Sequence, residues 1–584
     1  MATSTMDCSR CYKYQSWLWL VSALLLPFLV QGFQSHPIGL TVKTKSHFPT
    51  IQRDNSPRRN YLLVAHETKK DDSSRGSYDV RRFRCASYLL VQAAGVGLLS
   101  GWSVAIFKIM VDTVKHMAYA GTNSAKPWLR LIWLPIIPTV GGLIVALLRR
   151  LGGGFPPGMR DTIISVDKLS DQEQERLQGD EQDAESTAYH PIFHQFRFIK
   201  KSLAAVFTLG TGCSLGPEGP SVDIGMNLSR LIMDIFPVRT NNRGSKQEER
   251  HQKRLLIACG AAAGVSAGFN APIAGAFFAL EIMQHTFSSI DHEEYGLEGA
   301  TASPALTVPG SISAVLIASA TSALVCQSVL GEHLMFALKD YAMNTPLLEL
   351  PLFLLLGAIS GLAAFLFAQI SSYSRRLFQG MFGPRMIRNR FSKMPSFVKP
   401  ALGGLTCGLV GLVLPQVLFS GFDTVNDALA HRKLPTLLLL TLLGVKMVTT
   451  GIAAGSGLVG GTFAPSLFLG GILGASYHNI ASWLLASAAH HGSITLASPM
   501  LQLADLPAYT MVGAATVLAA VFRAPLTASL LLFELTRDYG VILPLMASSG
   551  VASIVGDILD IKFETHMSNK QSSTDETAEE GSLI

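Results

Sequence analysis

The chain has 584 residues, 48% of them hydrophobic and only 15% charged, with a mean hydropathy of +0.33, whereas soluble globular chains carry about 25% charged residues. A soluble protein is excluded, because it would have nowhere to bury a long series of apolar stretches of roughly 20 residues, the length that crosses a hydrocarbon layer. The net charge of +6 comes partly from clusters beside those stretches (Arg81, Arg82 and Arg84; Arg149 and Arg150; Arg375, Arg376, Arg385, Arg388 and Arg390), a placement that sets membrane topology or meets lipid headgroups and does not suit nucleic acid.

Residues 1–32 read as a secretory signal: Arg10 and Lys13 precede an apolar run from Trp17 to Val30, and Gly32 stands at a small-residue cleavage position. A first membrane span is the alternative, and the shortness of the run together with the polar stretch after it favours the signal. Cys8 and Cys11 form an isolated C-x-x-C with no second pair, a weak metal or redox signal, and no cofactor is expected. Residues 33–84 are basic, with 11 Lys or Arg against 5 Asp or Glu from Gln34 to Arg84. A signal followed by such a segment from Phe33 resembles the bipartite plastid address of algae with secondary plastids. The competing reading is an ordinary disordered tail. The expected location is a multi-pass position in a plastid membrane (thylakoid or envelope) or, failing that, another endomembrane.

A membrane domain is expected over residues 85–562. Its apolar segments run at about 86–115, 128–151, 199–215, 254–283, 304–330, 347–372, 398–419, 436–459, 463–485, 508–535 and 541–561. An acidic insertion at 161–190 interrupts the series, with nine acidic residues against Lys168 and Arg176 between Asp161 and Glu185. A short polar tail, 563–584, follows and is too short for a folded regulatory domain. The 52 glycines and 28 prolines are abundant inside the apolar segments, which membrane bundles tolerate where neighbours or a cavity satisfy the freed backbone. The fold class is therefore an all-α polytopic membrane protein with short, discontinuous helices.

The two halves repeat. Gly219-Pro220-Ser221 with Gly225 matches Ala464-Pro465-Ser466 with Gly470 at an offset of 245, and Asn270-Ala271-Pro272-Ile273 with Glu281 matches Arg523-Ala524-Pro525-Leu526 with Glu534 at an offset of 253. The sequence does not give the relative orientation of the halves.

Four segments share one grammar of glycines or small residues, then proline, then an apolar helix: Gly152-Gly153-Gly154-Phe155-Pro156, Gly216-Pro217-Glu218-Gly219-Pro220, Gly460-Gly461-Thr462-Phe463-Ala464-Pro465, and Phe269-Asn270-Ala271-Pro272. Proline favours the first turn of a helix and glycine lets the backbone approach a ligand. Each segment reads as a helix N-terminus within the membrane, where free N–H groups and the dipole bind anions. One such segment alone reads as a turn between spans; four in one polytopic chain do not. Glu218 is a carboxylate amid glycine and proline in an apolar region, costly there unless it has a task. Facing the amides of Gly219 and the next turn, it can stand in for an anion and open the path by moving aside. The competing role is a plain helix cap.

These motifs resemble those of the CLC chloride channel and transporter family. Gly216 to Pro220 is similar to its Gly-Lys/Arg-Glu-Gly-Pro, Gly152 to Pro156 to its Gly-Ser-Gly-Ile-Pro, and Gly461 to Pro465 to its Gly-Ile-Phe-x-Pro; Phe269 to Met283 and Arg523 to Tyr539 also look like the family's helices. The resemblance covers about 86–562, without C-terminal CBS domains. It implies a homodimer with one pore per subunit, each built as an inverted repeat of tilted and discontinuous helices. It also implies Glu218 as the gating glutamate, and anion contacts from Gly153, Gly154, Phe155, Gly219 and the amides of Thr462 and Phe463. Departures from the pattern are Gly153 in place of a pore serine, Pro217 in place of a basic residue, and Thr565 as the nearest counterpart of an inner tyrosine. Ile282 stands where the family's proton-coupled exchangers carry an inner glutamate. Glu281, Glu534, Lys446 and Asp223 are expected in structural contacts.

The reading is a gated passive channel for chloride. A chloride/proton antiporter with another proton route, such as Glu281 or water, is the alternative, and a non-conducting scaffold is a third. No H-E-x-x-H, G-x-x-x-x-G-K-[ST] or G-x-S-x-G motif points to an enzyme.

Overall fold

The computed structural model describes residues 72–120, 127–151, 155, 158, 162–164, 191–237, 246–283, 311–331, 336, 341, 346–430, 434–490 and 503–582. The expected signal at 1–32, the basic segment as far as residue 71, Gly153, Gly154 and nearly all of the acidic insertion lie outside them. The helices, in chain order, are α1 (Asp72–Tyr119), α2 (Pro127–Arg150), α3 (Pro191–Gly210), α4 (Glu218–Ile235), α5 (Lys246–Phe269) and α6 (Pro272–Phe278). They continue as α7 (Ser311–Leu330), α8 (Pro346–Gln379), α9 (Arg385–Lys393), α10 (Val398–Val413), α11 (Phe422–Leu429) and α12 (Thr436–Gly455). The last four are α13 (Phe463–His490), α14 (Leu506–Phe522), α15 (Pro525–Thr536) and α16 (Ile542–Ser582).

Within the described residues, each apolar segment read from the sequence is helical over most of its length, because a backbone surrounded by hydrocarbon has to satisfy its own hydrogen bonds. Two of the apolar segments, 254–283 and 508–535, are each broken into two helices, the first at the helix start read from Phe269 to Pro272. Asn270 and Arg523 take left-handed φ values of 61° and 54°, and each is followed by Ala-Pro, whose proline disfavours helix at the residue before it. A new helix then starts on the proline. The helix over the expected tail is a second difference: α16 runs on to Ser582, and α1 starts at Asp72, inside the basic segment.

Among the described residues, 6 helices are long and apolar enough to cross a membrane, and α9 with α10, bent by 117°, make a seventh if they form one span. Within α1 the apolar stretch Ser87–Tyr119 has 33 residues, about 50 Å at 1.5 Å per residue, against a core of roughly 30 Å, so it crosses tilted. The apolar stretches of α6, α14 and α15 are too short to cross.

The contacts between halves are reciprocal, as a two-fold axis requires. A side chain at Gly142 would meet the Pro400 carbonyl at 2.3 Å, and one at Gly404 would meet the Pro138 carbonyl at 2.0 Å; both pairs of mates are 262 residues apart. Within each half one close contact recurs at matching places: Gly225 packs on Gly260 in the first and Gly470 on Gly513 in the second. The mates Gly216 and Gly461 pair directly, in antiparallel sense. The orientation that the sequence left open is thus an inverted repeat.

Close approach at the α4–α5 crossing makes a sharp expectation. A Cβ on Gly225 would lie 1.9 Å from the Gly260 carbonyl oxygen, so Gly225→Ala has to push two helices apart, at about 1–3 kcal/mol or more. Gly550→Ala, with nothing within 4 Å of the added atom, is the control. Thermal loss of the monodisperse detergent peak should come at clearly lower temperature for Gly225→Ala alone.

Candidate functional site

The loops before α4 and α13 meet face to face. Gly216 N–H donates to the Gly461 carbonyl and Gly461 N–H to that of Gly216, each at 2.8 Å. Glycine is required on both sides: a Cβ on Gly219 would sit 2.7 Å from Gly461 Cα, and one on Gly461 would sit 2.6 Å from Gly219 N. This clasp aims the N-termini of α4 and α13 at one place, so two dipole ends of roughly +0.5 charge each converge there. Pro220 and Pro465, both buried, start the helical turns without an N–H to satisfy.

The Glu218 side chain lies at this junction, 1% exposed. Gly216 makes room for it, since a Cβ there would be 2.3 Å from Glu218 Oε2 and 2.7 Å from Ala464 Cβ. The carboxylate faces the backbone amides of Glu218 itself and Ala464, short of formed hydrogen bonds, and neither oxygen has a partner. A buried carboxylate held by electrostatic attraction, with no hydrogen bond of its own, can be displaced by another anion. A plain helix cap would be bonded to its own first turn.

Phe463 is fixed by aromatic packing, with ring centroids 4.4 Å from Phe522 and 5.2 Å from Phe269. Its ring belongs to the core, which leaves its backbone and that of Thr462 as what the site can use. Phe155 is half-buried, accepts at its carbonyl from Arg197 at 3.4 Å, and packs in the same apolar cluster as Leu215, Leu458 and Val459, which lead into the two loops. Gly153 and Gly154 lie outside the described residues. Thr565 is exposed on α16 and its hydroxyl donates to the Ile561 carbonyl at 2.8 Å.

The segment at Phe269–Pro272 requires a correction: its helix end is not open to an anion from solution. The N–H groups of Ile273 and Ala274 donate to the Glu534 carboxylate at 2.9 and 2.7 Å. Reciprocally, the N–H groups of Leu526 and Thr527 and the Thr527 hydroxyl donate to Glu281 at 3.1, 2.7 and 2.7 Å. Each half thus supplies the carboxylate that caps the other half's helix. Ile282, in the π-helical turn Ala279–Met283, is buried beside it. Lys446 Nζ donates to the carbonyls of Val417 and Phe419 at 2.8 and 2.7 Å, and Asp223 pairs with Lys201 at 2.7 Å.

One charged residue escaped the sequence reading. Lys108, in the apolar stretch of α1, donates from Nζ to the Ala267 carbonyl at 2.9 Å and acts electrostatically on Glu218. A lysine inside a span is itself a signal, but it stands more than a hundred residues from the motif it serves.

A family profile described as voltage gated chloride channel matches residues 170–557. The chain belongs to the CLC family. Its relatives include "Chloride channel protein CLC-e" of Arabidopsis thaliana, 34% identical over 476 residues, which cover 80% of this chain and 59% of that protein. "Chloride channel protein CLC-f" of the same plant is 33% identical over 497 residues, 83% of this chain and 56% of that protein. The chain therefore spans less than two thirds of the length of these two relatives. "H(+)/Cl(-) exchange transporter ClcA" of Salmonella arizonae is 29% identical over 480 residues, 82% of this chain and 88% of the relative. Among solved structures, a slow cyanobacterial Cl−/H+ antiporter shares the fold with a TM-score of 0.59 at 23% identity, covering 81% of this chain and 94% of that one. A eukaryotic CLC transporter gives 0.55 at 18%, covering 80% and 71%. The CLC-type inverted repeat of tilted and discontinuous helices is the fold of this chain. The CLC profile takes in both clasped loops and Ile282, and leaves out Lys108 and Gly153 to Phe155.

Proposed function

We propose that the protein is a gated passive channel for small anions, chloride foremost, in which Glu218 is the gate. The observation that carries this is the buried, unpartnered Glu218 carboxylate at the junction of the α4 and α13 N-termini. Partial charges of this kind attract an anion yet release it, which conduction needs. The passive reading is supported by Ile282, which holds no proton, and by Glu281, whose oxygens are occupied by α15. Exchange against protons is the second reading, favoured by the name of the ClcA relative. Chloride-loaded vesicles holding the purified protein test the proposal: chloride efflux under a potassium-valinomycin shunt supports it, and vesicles that retain chloride refute conduction.

The anion's path extends from the clasp, with Gly219 and the amides of Thr462 and Phe463, to an inner end at Gly153, Gly154 and Phe155. Gly153 offers no hydroxyl, so selectivity there rests on backbone donors. Gly153→Ser is expected to shift the chloride-to-nitrate permeability ratio toward chloride, read from bi-ionic reversal potentials; an unaltered ratio removes Gly153 from the path.

The assembly proposed is a homodimer with one pore per subunit. Helix α6 packs on α7 and α15, and α15 on α16; the four carry exposed Ile273, Ile312, Leu316, Leu526 and Leu543, apolar residues suited to contact with a second copy. Light scattering of the detergent-purified protein decides between one copy and two. A plastid membrane is the proposed location, resting on the N-terminal composition and the plant relatives. A reporter fused behind residues 1–84 that stays outside plastids refutes it.

A further inference from the structure

The gate motif of this chain carries no cation, because Pro217 precedes Glu218. We infer that Lys108 supplies the site's full positive charge from α1, and that its charge sets the affinity for the anion that replaces the Glu218 carboxylate. The inference rests on the reading of Glu218 as the gate.

One hydrogen bond places the ammonium, and a short chain of contacts leads from it to α4. Lys108 Nζ donates to the Ala267 carbonyl at 2.9 Å, and Cys326 Sγ from α7 meets the same oxygen at 3.2 Å. The next residue, Gly268, abuts the first turn of α4: a Cβ there would lie 3.6 Å from Ser221 Cβ and 3.7 Å from Ser221 Oγ. That hydroxyl in turn donates to the Pro217 carbonyl at 2.9 Å. The ammonium is thus anchored on the residue before Gly268, which packs against the first turn of α4, and Lys108 and Glu218 act on each other electrostatically.

An ammonium in an apolar span is costly unless its charge is used. The Ala267 carbonyl holds one of its three N–H groups, which fixes the head without neutralising it. The other groups facing Lys108 are Asp112, one turn along α1, and the Cys326 thiol. Asp112 makes no ion pair with it and the thiol carries no charge, so the counter-charge the lysine faces is the gate carboxylate, or the anion that takes its place. Two helix ends bring roughly +0.5 charge each. In its protonated form the lysine doubles that and, as a full charge, acts over a longer distance.

The test is chloride titration of flux in reconstituted vesicles, at fixed ionic strength, for the wild type, Lys108→Gln, Lys108→Met and Lys108→Arg. Glutamine keeps a donor for Ala267 and loses the charge; methionine loses both. Both neutral variants are expected to raise the half-saturating chloride concentration about tenfold, equivalent to about 1.4 kcal/mol, while maximal flux changes little. Lys108→Arg should restore the wild-type value. A half-saturation in Lys108→Gln equal to the wild type overturns the inference, as does a Lys108→Arg no better than Lys108→Gln. Should one neutral variant fail to give a monodisperse peak, the other carries the test. Glu218→Ala in the same vesicles keeps the two claims apart: loss of its pH response with an unchanged Lys108→Gln sinks only the lysine, and an unchanged pH response sinks the gate itself.

Discussion

Glu218→Ala is expected to conduct anions at a rate that no longer changes with pH, and at least about tenfold faster than the wild type at alkaline pH. In the wild type the ionised carboxylate occupies the meeting point of two helix N-termini. One such terminus is worth up to about 2 kcal/mol to a well-placed negative charge; two of them hold the carboxylate against chloride by a margin that reads as ten- to hundredfold occupancy. Protonation removes the charge and with it the competition, so acid opens the wild type. The alanine side chain neither competes nor titrates. The fold should survive the change, because neither Glu218 oxygen accepts a hydrogen bond and truncation orphans no donor. Chloride efflux from vesicles, measured across acid and alkaline buffers, gives the answer. A pH response equal to the wild type means that Glu218 is not the gate.

What the sequence disclosed and what it concealed follow from the range of the interactions. Glycine and proline act on their own backbone, so Gly216 to Pro220 and Gly461 to Pro465 could be read as helix starts from local composition, and both are. The same local grammar at Phe269 to Pro272 was over-read. Nothing near it in the chain reports that Glu534, more than 250 residues away, already fills that helix end. The repeat offsets were legible because they need only matching residues. The inversion was not, because it is carried by contacts such as Gly142 with Pro400 and Gly404 with Pro138. Asn270 and Arg523 lie in the middle of apolar runs that hydropathy alone shows as one; the proline grammar marked a helix start at Pro272, and the left-handed φ values of both residues show where each preceding helix ends. Lys108 was hidden for the same reason as Glu534: its partner across space, the carbonyl of Ala267, has no sequence signature.

The reversal potential is expected to follow the chloride gradient alone, at about 59 mV for each tenfold step in chloride, and to stay at zero under a pH gradient with symmetrical chloride. Tight coupling needs protons to reach Glu218 from the inner side by way of an ionisable group. Ile282 stands at the position where such a group would serve, and its side chain is all carbon. Glu281 is the carboxylate next to it, but its two oxygens accept from two amides and a hydroxyl of α15 at 2.7–3.1 Å. To ferry a proton it would have to release all three donors and uncap the facing helix, at about 1–3 kcal/mol for each donor left buried and unpaired. Glu281→Gln therefore bears on stability and not on coupling: it replaces one acceptor oxygen by an N–H₂ that confronts the amide of Leu526 or that of Thr527, which donate to different oxygens. Its detergent melting temperature should fall below that of the wild type, while its reversal potentials stay on the chloride line. A steady proton flux in fixed ratio to chloride in the wild type, lost in Glu281→Gln, would establish exchange in place of passive conduction.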